Sequence, residues 1–493
     1  MTARIPKQDN EPDPASGGVP VPVPRARPAS PPPERIAVGA GTALVLEGEL
    51  EPNGFGLEGV RIRLGEIERE VDAFGVDSGR TDAGLWWTVL PIPAGTAGSR
   101  LLELIARGGG EEASMPLGEI ELLPGAEVPV ETSEPRKSEG SEPLIAICMA
   151  THEPAEDRLR RQLDSIRAQS RRRWICLISD DASSPEALAG LQRAVGGDER
   201  FVVSRSDERL GFLANFERAI GMIPPEAELV ALADQDDRWF PDKLEGLQAT
   251  LAQNPAAALA SSDMRILDGD GRVLSDTSWY LRRNRFDDIA SLMVANVVTG
   301  AASLFRRELL ADALPFPPAR PGHALYHDHW LALCALATAE IAYLDRPTHD
   351  YFRYDDTVTV REAPNWLRPE SGAAGRLRLH WGRLTRRIRM GSASPGWEAI
   401  YLDRWLTIRQ LTTMLELRLG DRIQPPKRRA LKRLLSAESS LIGSAWLLVR
   451  CLRPLIGRNE TLARERVLLG ALIWRWRRRR RWRGGVERGG LDI

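Results

Sequence analysis

Three carboxylates end an apolar run near the middle of the chain. Residues 228–233 read ELVALA, and Asp234, Asp236 and Asp237 follow directly. Mg²⁺ and Mn²⁺ prefer oxygen ligands, and Mg²⁺ is usually held by one or two carboxylates while phosphates and waters complete its shell. The spacing therefore indicates a divalent-cation site that receives a phosphorylated ligand. An acidic turn after a buried strand is the alternative, because a D-x-D match alone is weakly specific.

Other polar residues also follow predicted strands. Apolar runs at 144–151, 174–181, 201–204 and 228–233 alternate with segments of helical spacing, a pattern that predicts a mainly parallel sheet. In such sheets ligands bind beyond the carboxyl ends of the strands. Five polar residues stand at those predicted ends: Thr151, Asp180, Asp181, Asp234 and Asp236. Their coincidence predicts one ligand-binding crevice.

The remaining segments differ in composition, and 493 residues predict about three domains. Residues 1–35 are rich in Pro and predict a disordered tail. Short alternating runs over 36–123 predict a small immunoglobulin-like β-sandwich, and the polar stretch 124–142 predicts a linker. We expect an α/β domain at 143–360, followed by amphipathic helices over 361–483 and a flexible tail at 484–493.

Charge is distributed unevenly along the chain. The formal net charge is −1, yet residues 371–493 carry 28 Lys and Arg against 9 Asp and Glu. This basic module could face anionic lipids, nucleic acid or the acidic body of the protein. We do not expect nucleic acid, since no recognised binding motif accompanies the charge.

Aromatic residues interleave with arginines near the carboxyl end of the chain. Trp474, Trp476 and Trp482 alternate with Arg residues, which predicts an interfacial position on an anionic membrane surface. A solvated basic tail is the alternative. No run approaches the length of about 18 apolar residues that would span a bilayer.

Localisation is predicted from the cysteines and the amino terminus. The four cysteines form no C-x-x-C pair and are expected to be buried thiols, and residues 1–14 lack the apolar core of a signal peptide. We therefore expect a cytoplasmic protein, peripheral on the inner face of the cell membrane.

The order of the motifs resembles that of family-2 glycosyltransferases of the GT-A type, in particular a rhamnosyltransferase-like branch. The resemblance covers residues 143 to about 358 and is carried by PLIAICMATHEP, LISDDASS, ERLGFLANFERAI, ADQDDRWFPDKL, NVVTGAASLFRREL and HDHWLAL. It implies a three-layer α/β core that binds a nucleotide-sugar donor.

The resemblance also implies roles for residues of the donor site. Thr151 and Glu153 would line the nucleotide pocket, and Asp180 or Asp181 would accept a hydrogen bond from the base or ribose. Closing the strand-to-helix turn is the alternative for these acids, since Asp and Ser suit turns and helix caps. Asn215 is a further nucleotide candidate, with an ordinary helical role as its alternative.

For the cation, Mg²⁺ or Mn²⁺, Asp236 is the preferred ligand. Asp234 would face the ribose or the metal, Asp237 would give support, and Lys243 could simply pair with these acids. The metal would offset the charge that accumulates on the departing diphosphate.

On the acceptor side, Thr299 and Gly300 belong to the segment that the resemblance assigns to acceptor binding. Asp328 is the candidate base, because a hydroxyl near neutral pH needs a carboxylate to take its proton. His327 and His329 would flank and tune this base. The resemblance implies a single displacement with inversion at the anomeric carbon.

One departure from the family pattern concerns the end of the core. Related chains commonly carry Tyr-Arg-Gln-His, whereas this chain has Tyr351, Phe352, Arg353, Tyr354 and Asp355. Arg353 is retained as a candidate for the diphosphate. His349 could replace the missing histidine.

Two other functions remain open from the residues. His323, His327, Asp328 and His329 could hold zinc in a metal-dependent hydrolase, although no H-E-x-x-H pattern is present. The added β-sandwich also suits an inactive glycan-binding scaffold. We expect a metal-dependent inverting glycosyltransferase that moves a sugar to a cell-surface glycan or lipid-linked saccharide.

Overall fold

The computed structural model describes most of the chain. The described residues are 23–77, 84–125, 142–279, 287–320, 325–354, 396–456, 460–461 and 464–481. Most of the predicted linker, the expected helical residues 361–395 and the predicted tail at 484–493 lie outside these ranges.

Nine strands at the amino end form two sheets. They are β1 Arg25–Pro28, β2 Arg35–Ala37, β3 Thr42–Glu51, β4 Gly59–Leu64, β5 Ile67–Glu70, β6 Ala73–Asp77, β7 Gly84–Ile92, β8 Gly98–Gly108 and β9 Glu111–Leu123. The strand orders are β1-β3-β7-β6 and β2-β9-β8-β4-β5. Side chains alternate across each strand, so Trp86 enters the core of the sandwich while Trp87 packs with the rest of the molecule.

The prediction of disorder over residues 1–35 is wrong for its last part. Residues Arg25–Pro28 pair antiparallel with the end of β3, where Arg25 lies opposite Glu51. Proline is tolerated there because β1 is an edge strand, which needs fewer backbone donors.

The α/β region contains a sheet of nine strands. They are β10 Leu144–Thr151, β11 Trp174–Asp180, β12 Phe201–Arg205, β13 Ala227–Ala233, β14 Arg238–Trp239, β15 Ala257–Asp268, β16 Val273–Ser275, β17 Ser303–Arg306 and β18 Glu340–Arg353. The order is β12-β11-β10-β13-β17-β15-β18-β14, with β16 paired to β15. The first four strands are mutually parallel, as their apolar runs predicted.

Helices cover both faces of this sheet. They are α1 Glu156–Arg167, α2 Pro185–Val195, α3 Phe212–Gly221, α4 Lys243–Gln253, α5 Ile289–Val294, α6 Leu309–Ala313 and α7 His327–Thr338. Alternate residues of β10 serve the two layers, because Ile145 and Ile147 pack with α1, α2 and α4, whereas Ala146 and Cys148 pack with the other helices. The three-layer α/β core expected for a GT-A fold is confirmed.

Four helices follow at the carboxyl end, namely α8 Trp397–Leu419, α9 Pro425–Ser436, α10 Leu441–Arg450 and α11 Arg464–Arg481. They share one hydrophobic core with α3, α5, α6 and α7, and α8 also contacts β3 and β7. None of the described helices combines the length and apolarity needed to cross a bilayer. The basic helices are thus packed into the protein.

The acidic body is one partner of these basic helices. Arg450 and Arg453 each lie 2.9 Å from Asp288, and Arg422 lies 2.7 Å from Asp312. The acidic body, one of the three partners considered for the basic module, therefore does contact it.

The aromatic residues of α11 take different positions. Trp474 is partly buried and packs against the ring of Tyr401, with centroids 5.9 Å apart. Trp476 is exposed, and Trp482 lies outside the described residues.

A buried ionic network joins the sandwich to the carboxyl-terminal helices. Arg409 of α8 donates to Asp72 beside β6 at 2.5 Å and to Glu438 at 2.8 Å, and Arg475 of α11 also contacts Glu438 at 2.5 Å. All four side chains are less than a tenth exposed. The network therefore fixes the β-sandwich and the carboxyl-terminal helices relative to each other.

Replacing Arg409 with Met should destabilise the protein, because it removes the buried cation that Asp72 and Glu438 share. Arg69 and Arg475 would then be their remaining cationic partners. Loss of one partner from a buried ion pair costs about 3–5 kcal/mol, which urea denaturation followed by Trp fluorescence would measure. Arg193→Met, which removes a solvent-exposed partner of Glu156, is the control and should leave the midpoint unchanged. Equal midpoints for both variants would contradict the structural role of the network.

Candidate active site

Strand register brings the predicted site residues to one edge of the sheet. Thr151 pairs with Asp180 across β10 and β11, and Met149 pairs with Ala233 across β10 and β13. The carboxyl ends of these three strands therefore lie side by side. The carboxylate motif that follows Ala233 opens onto the same crevice as the loop after Thr151.

The two acids after β11 have partners within the protein. Asp180 is fully buried and accepts hydrogen bonds from Thr151 Oγ1 at 3.1 Å and from Ser183 Oγ at 2.6 Å. Asp181 accepts from the backbone N–H groups of Leu210 at 2.5 Å and Gly211 at 3.0 Å, immediately before α3. The structure thus gives Asp180 the turn-closing role that was its alternative, through its bonds to Ser183. Asp181 instead joins the end of β11 to the loop before α3. A contact with a base or ribose stays a prediction.

Glu153 stands at the entrance of the crevice. It is exposed, and its backbone has a φ of 43°, an unusual conformation for a residue with a side chain. Its carboxylate accepts from Ser184 N at 2.6 Å and Ser184 Oγ at 3.0 Å, and these bonds lower its pKa. The strained loop therefore holds Glu153 across the start of α2.

Asn215 lies on the first part of α3 and is buried. Its Nδ2 donates to the Thr151 carbonyl at 3.1 Å, while its Oδ1 has no hydrogen-bond partner among the described residues. The side chain therefore ties α3 to the end of β10, which fits the structural role considered for it.

Gln235, within the carboxylate motif, is a positioning residue that the sequence did not reveal. Its Oε1 accepts from His152 N at 3.0 Å, and its Nε2 donates to His152 O at 3.3 Å. This two-point contact fixes the motif against the loop after β10. The partners are 83 residues apart, and no spacing rule indicates such a pair.

Electrostatics join the motif to the candidate base. Removal from bulk water, together with the charges of Asp236 and Asp328, raises the pKa of Asp234 to about 7. Like charges interact strongly only at short range in a poorly hydrated site. The carboxylates predicted for donor and acceptor chemistry therefore belong to one site.

Asp237 and His349 form the buried side of this cluster. Asp237 is 1% exposed and neither of its carboxylate oxygens has a hydrogen-bond partner among the described residues. Both ring nitrogens of His349 also lack one, and its Nε2 lies 3.7 Å from Asp237 Oδ2. Burial raises the pKa of Asp237 well above its usual value and lowers that of His349.

Lys243 is the buried cation beside these acids. Its ammonium donates to the Ala301 carbonyl and lies 3.7 Å from the ring centroid of Trp239. Burial lowers the pKa of Lys243 to about 7, although Asp237 and Asp234 act in the other direction. Lys243 thus offsets the negative charge of the cluster only in part.

The donor set suits a hard divalent cation. Three acids fall within four residues, and the two buried oxygens of Asp237 have no hydrogen-bond partner in the described part of the chain. Those residues contain no ready-made cluster of three or more His, Cys, Asp or Glu ligands. The fit is therefore that of a site completed by ligands from a substrate, as is common for Mg²⁺.

Asp328 occupies the first turn of α7 and is partly exposed. It accepts hydrogen bonds from Asn296 Nδ2 at 2.9 Å, Gly300 N at 3.2 Å and its neighbour His329 N at 2.6 Å. Burial raises the pKa of Asp328 to about 6, and the backbone donors limit the rise. This carboxyl is ionised near neutral pH, as a general base must be.

The acceptor segment approaches α7 closely at Gly300. A Cβ atom there would lie 2.9 Å from His327 Nε2 and 3.4 Å from Asp328 Cβ, so only glycine leaves room. Thr299 precedes a short 3₁₀ turn over Gly300–Ala302 and is partly exposed. The structure therefore brings Thr299 and Gly300 next to the candidate base.

Neither imidazole ring of the two described histidines beside Asp328 is arranged to bind a metal or to tune the base. His327 is 4% exposed and stacks on Phe216 at 4.2 Å between centroids, and burial lowers its pKa to about 3. His329 Nε2 lies 2.7 Å from the Leu292 carbonyl, and burial lowers its pKa to about 4. The expected tuning role is therefore not supported, and the zinc alternative loses these two ligands. His323 lies outside the described residues.

Tyr354, which stands in place of the usual glutamine, has a positioning role. Arg161 of α1 donates to Tyr354 Oη at 2.8 Å and to the Asp236 carbonyl at 2.6 Å, and Arg158 lies over the Tyr354 ring. The substitution thus connects the end of β18 to the carboxylate motif. Arg353 pairs in register with Asp268, and its contact with a diphosphate stays a prediction. Asp355 lies outside the described residues.

An open cleft of about 510 Å³ lies near the motif, bordered by Arg161, Arg238, Arg265 and Asp350. Asp350 is fully buried and binds Arg238 at 2.5 Å and Arg265 at 2.6 Å. Two of the three arginines are thus engaged with an internal carboxylate, and we assign no ligand to this cleft.

Two solved structures overlap loosely with this chain. The crystal structure of S. aureus TarS 1–349 with UDP-GlcNAc shares 14% sequence identity and a TM-score of 0.38, covering 68% of this chain and 91% of that chain. A mannosyltransferase of Pyrobaculum calidifontis with GDP-Man and Mn²⁺ shares 18% identity and a TM-score of 0.34, covering 68% and 88%. Overlaps this loose do not identify a substrate.

Sequence comparison is more specific. An uncharacterized glycosyltransferase of Methanocaldococcus jannaschii is 23% identical over 139 residues, which are 28% of this chain and 47% of the relative. The chain thus spans about half the length of this curated relative. The rhamnosyltransferase-like branch stays a prediction. Residues 146–314 match Glycosyl transferase family 2, and this region, which carries the parallel strands and the carboxylate motif, is a family-2 glycosyltransferase domain of the GT-A type.

Proposed function

We propose that the chain is a metal-dependent inverting glycosyltransferase that moves a sugar from a nucleotide-sugar donor to a cell-surface glycan or lipid-linked saccharide. The observation that carries this proposal is the contact of Gly300 with both Asp328 and Leu232 of β13, the strand that ends at the carboxylate motif. It supports one site in which a cation holds the leaving diphosphate while a carboxylate activates the acceptor. The family-2 domain supports the same reaction class.

In this proposal Asp236 is the principal ligand of Mg²⁺ or Mn²⁺, with Asp234 and Asp237 in support. His349 lies close enough to Asp237 to serve the same cation or the diphosphate. The bound cation supplies charge that stabilises the departing diphosphate. Thr151 and Glu153 border the nucleotide side of the crevice.

Asp328 takes the proton of the acceptor hydroxyl as that oxygen attacks the anomeric carbon. Asn296 and the Gly300 backbone N–H orient its carboxylate and keep it ionised near neutral pH. The attack displaces the diphosphate from the opposite face, so the configuration of the sugar inverts. No covalent intermediate with the protein is needed.

A panel of nucleotide sugars with Mn²⁺ tests the reaction class. Without an acceptor, the full chain should release the nucleoside diphosphate from one donor at most a few times faster than that donor breaks down in buffer without protein. Adding a suitable saccharide acceptor should make the release much faster. A chelator should abolish release. Release that resists chelation, or none with any donor, would contradict the proposal and favour a hydrolase or a scaffold.

Asp328→Asn should keep donor binding and lose transfer, since an amide cannot accept the proton. Loss of a general base lowers the turnover rate by about 10²–10⁴-fold. In the unmodified protein the rate should fall as pH drops through about 6, because protonation of Asp328 removes the active carboxylate form. Asp345→Asn, an exposed acid on β18, is the control. Transfer near the unmodified rate in Asp328→Asn would exclude this base.

Cation affinity should depend on Asp236 and on pH. Asp236→Asn should weaken Mn²⁺ binding by at least about tenfold, as for other residues that support metal sites. Affinity should rise between pH 6 and 8 because Asp234, whose pKa is about 7, must lose its proton. Electron paramagnetic resonance of free Mn²⁺ measures both effects, with Asp242→Asn as the control. Unchanged Mn²⁺ affinity in Asp236→Asn would show that Asp236 is not a ligand of the cation.

A further inference from the structure

The outer face of α10 is apolar without interruption. Leu441, Ile442, Leu448, Val449 and the following Leu452 are 85%, 84%, 53%, 64% and 53% exposed, and Ala445 between them is exposed too. Their positions, i, i+1, i+4, i+7, i+8 and i+11, form one helical stripe. A contiguous exposed apolar face of this kind marks an interaction surface. We call these six residues the α10 face.

The opposite side of α10 is fixed to the protein. Leu447 is buried, and Arg450 donates to Ser291 Oγ at 2.6 Å and to Asp288 at 2.9 Å. Gly443 packs so closely on the end of α9 that a Cβ atom would lie 2.4 Å from the Ser436 carbonyl carbon. The helix therefore cannot turn its apolar face inwards without breaking these contacts.

Positive charge surrounds the α10 face. The adjacent helix α9 exposes Arg429, Lys432 and Arg433. The neighbouring helix α11 exposes Ile473 and Trp476 at 44% and 48%, next to the run of arginines that begins at Arg477.

Acidic charge in this region is neutralised internally. From residue 422 to 481 the sequence holds three acids, Glu438, Glu460 and Glu465. Each is buried and lies within 4 Å of an arginine. Within the described part of this region, the exposed charges that frame the apolar stripe are therefore positive.

We infer that the α10 face, framed by the cations of α9 and α11, lies in the surface of a membrane containing anionic lipids. An apolar stripe beside basic residues and an exposed Trp is the arrangement that binds the boundary between headgroups and acyl chains. A stable protein–protein interface uses roughly 20–30 residues on each side, several times the six of this face. A lipid surface therefore fits better than a second protein.

The position of α10 relates this surface to the proposed chemistry. Arg450 and Arg453 hold Asp288 and Ser291 at the start of α5. The Leu292 carbonyl of α5 contacts His329, and Asn296, just beyond α5, donates to Asp328. The α10 face and the candidate base are thus connected through α5 and Asn296. A membrane-bound α10 face would place the active site near a lipid-linked acceptor. Only this link to the acceptor rests on the proposed function; membrane binding itself does not.

Sedimentation of the full chain with lipid vesicles, in the absence of donor and acceptor, tests the membrane face. The protein should bind vesicles of phosphatidylcholine with phosphatidylglycerol and should bind phosphatidylcholine alone much more weakly. Combining Leu441→Gln, Ile442→Gln, Leu448→Gln and Val449→Gln should lower binding by at least a hundredfold, because each buried apolar side chain contributes roughly tenfold. Leu101→Gln with Val202→Gln, two exposed apolar sites elsewhere, should not lower it.

A second variant separates charge from apolar contact. Arg429→Gln, Lys432→Gln and Arg433→Gln together should lower binding to anionic vesicles by roughly fivefold per cation and leave binding to neutral vesicles unchanged. Circular dichroism and transfer from a nucleotide sugar to a soluble saccharide acceptor verify that the variants fold, and this transfer reports on the catalytic proposal separately.

Three results would overturn the inference. The first is unchanged binding of the fourfold glutamine variant. The second is equal binding of the unmodified chain to neutral and anionic vesicles. The third is a concentration-dependent dimer that the glutamine variant abolishes while neither protein binds lipid, which would assign the face to a second copy of the chain.

Discussion

The burial of several carboxylates together in one crevice is the constraint on which the site depends. Burial and the charges of Asp236 and Asp328 raise the pKa of Asp234 to about 7. Lys243 compensates only in part, because burial lowers its own pKa to about 7. Buried charges are stable only when paired or bound to metal. The proposed divalent cation and phosphorylated donor follow from this imbalance.

The surrounding architecture keeps these charges together. Parallel strands bring their carboxyl ends to one edge, and Gln235 and Arg161 fasten the motif to the neighbouring loop and helix. On the other side of the site, α5 orients Asp328 through Asn296 and is itself held by Arg450 of α10. The carboxyl-terminal helices thus support the segment that orients the candidate base. The uneven distribution of charge along the sequence did not indicate this role.

Sequence patterns predicted the parts of the structure that depend on local periodicity. The apolar runs before Thr151 and Asp234 became parallel strands, and the polar residues at their ends met in one crevice, because strand register is regular. Patterns could not predict long-range contacts. The engagement of Asp181 with the loop before α3 and the stacking of His327 on Phe216 both depend on how distant segments pack, and neither contact could be expected from residue type.

The most direct test of the proposed chemistry is a crystal structure of the full chain with Mn²⁺ and a nucleoside diphosphate. We expect Mn²⁺ to bind a carboxylate of Asp236 and the oxygens of the diphosphate, with the Asp328 carboxylate facing the same crevice. A nucleotide bound at another edge of the sheet, or a diphosphate held without a cation at residues 234–237, would contradict the shared site for donor and base.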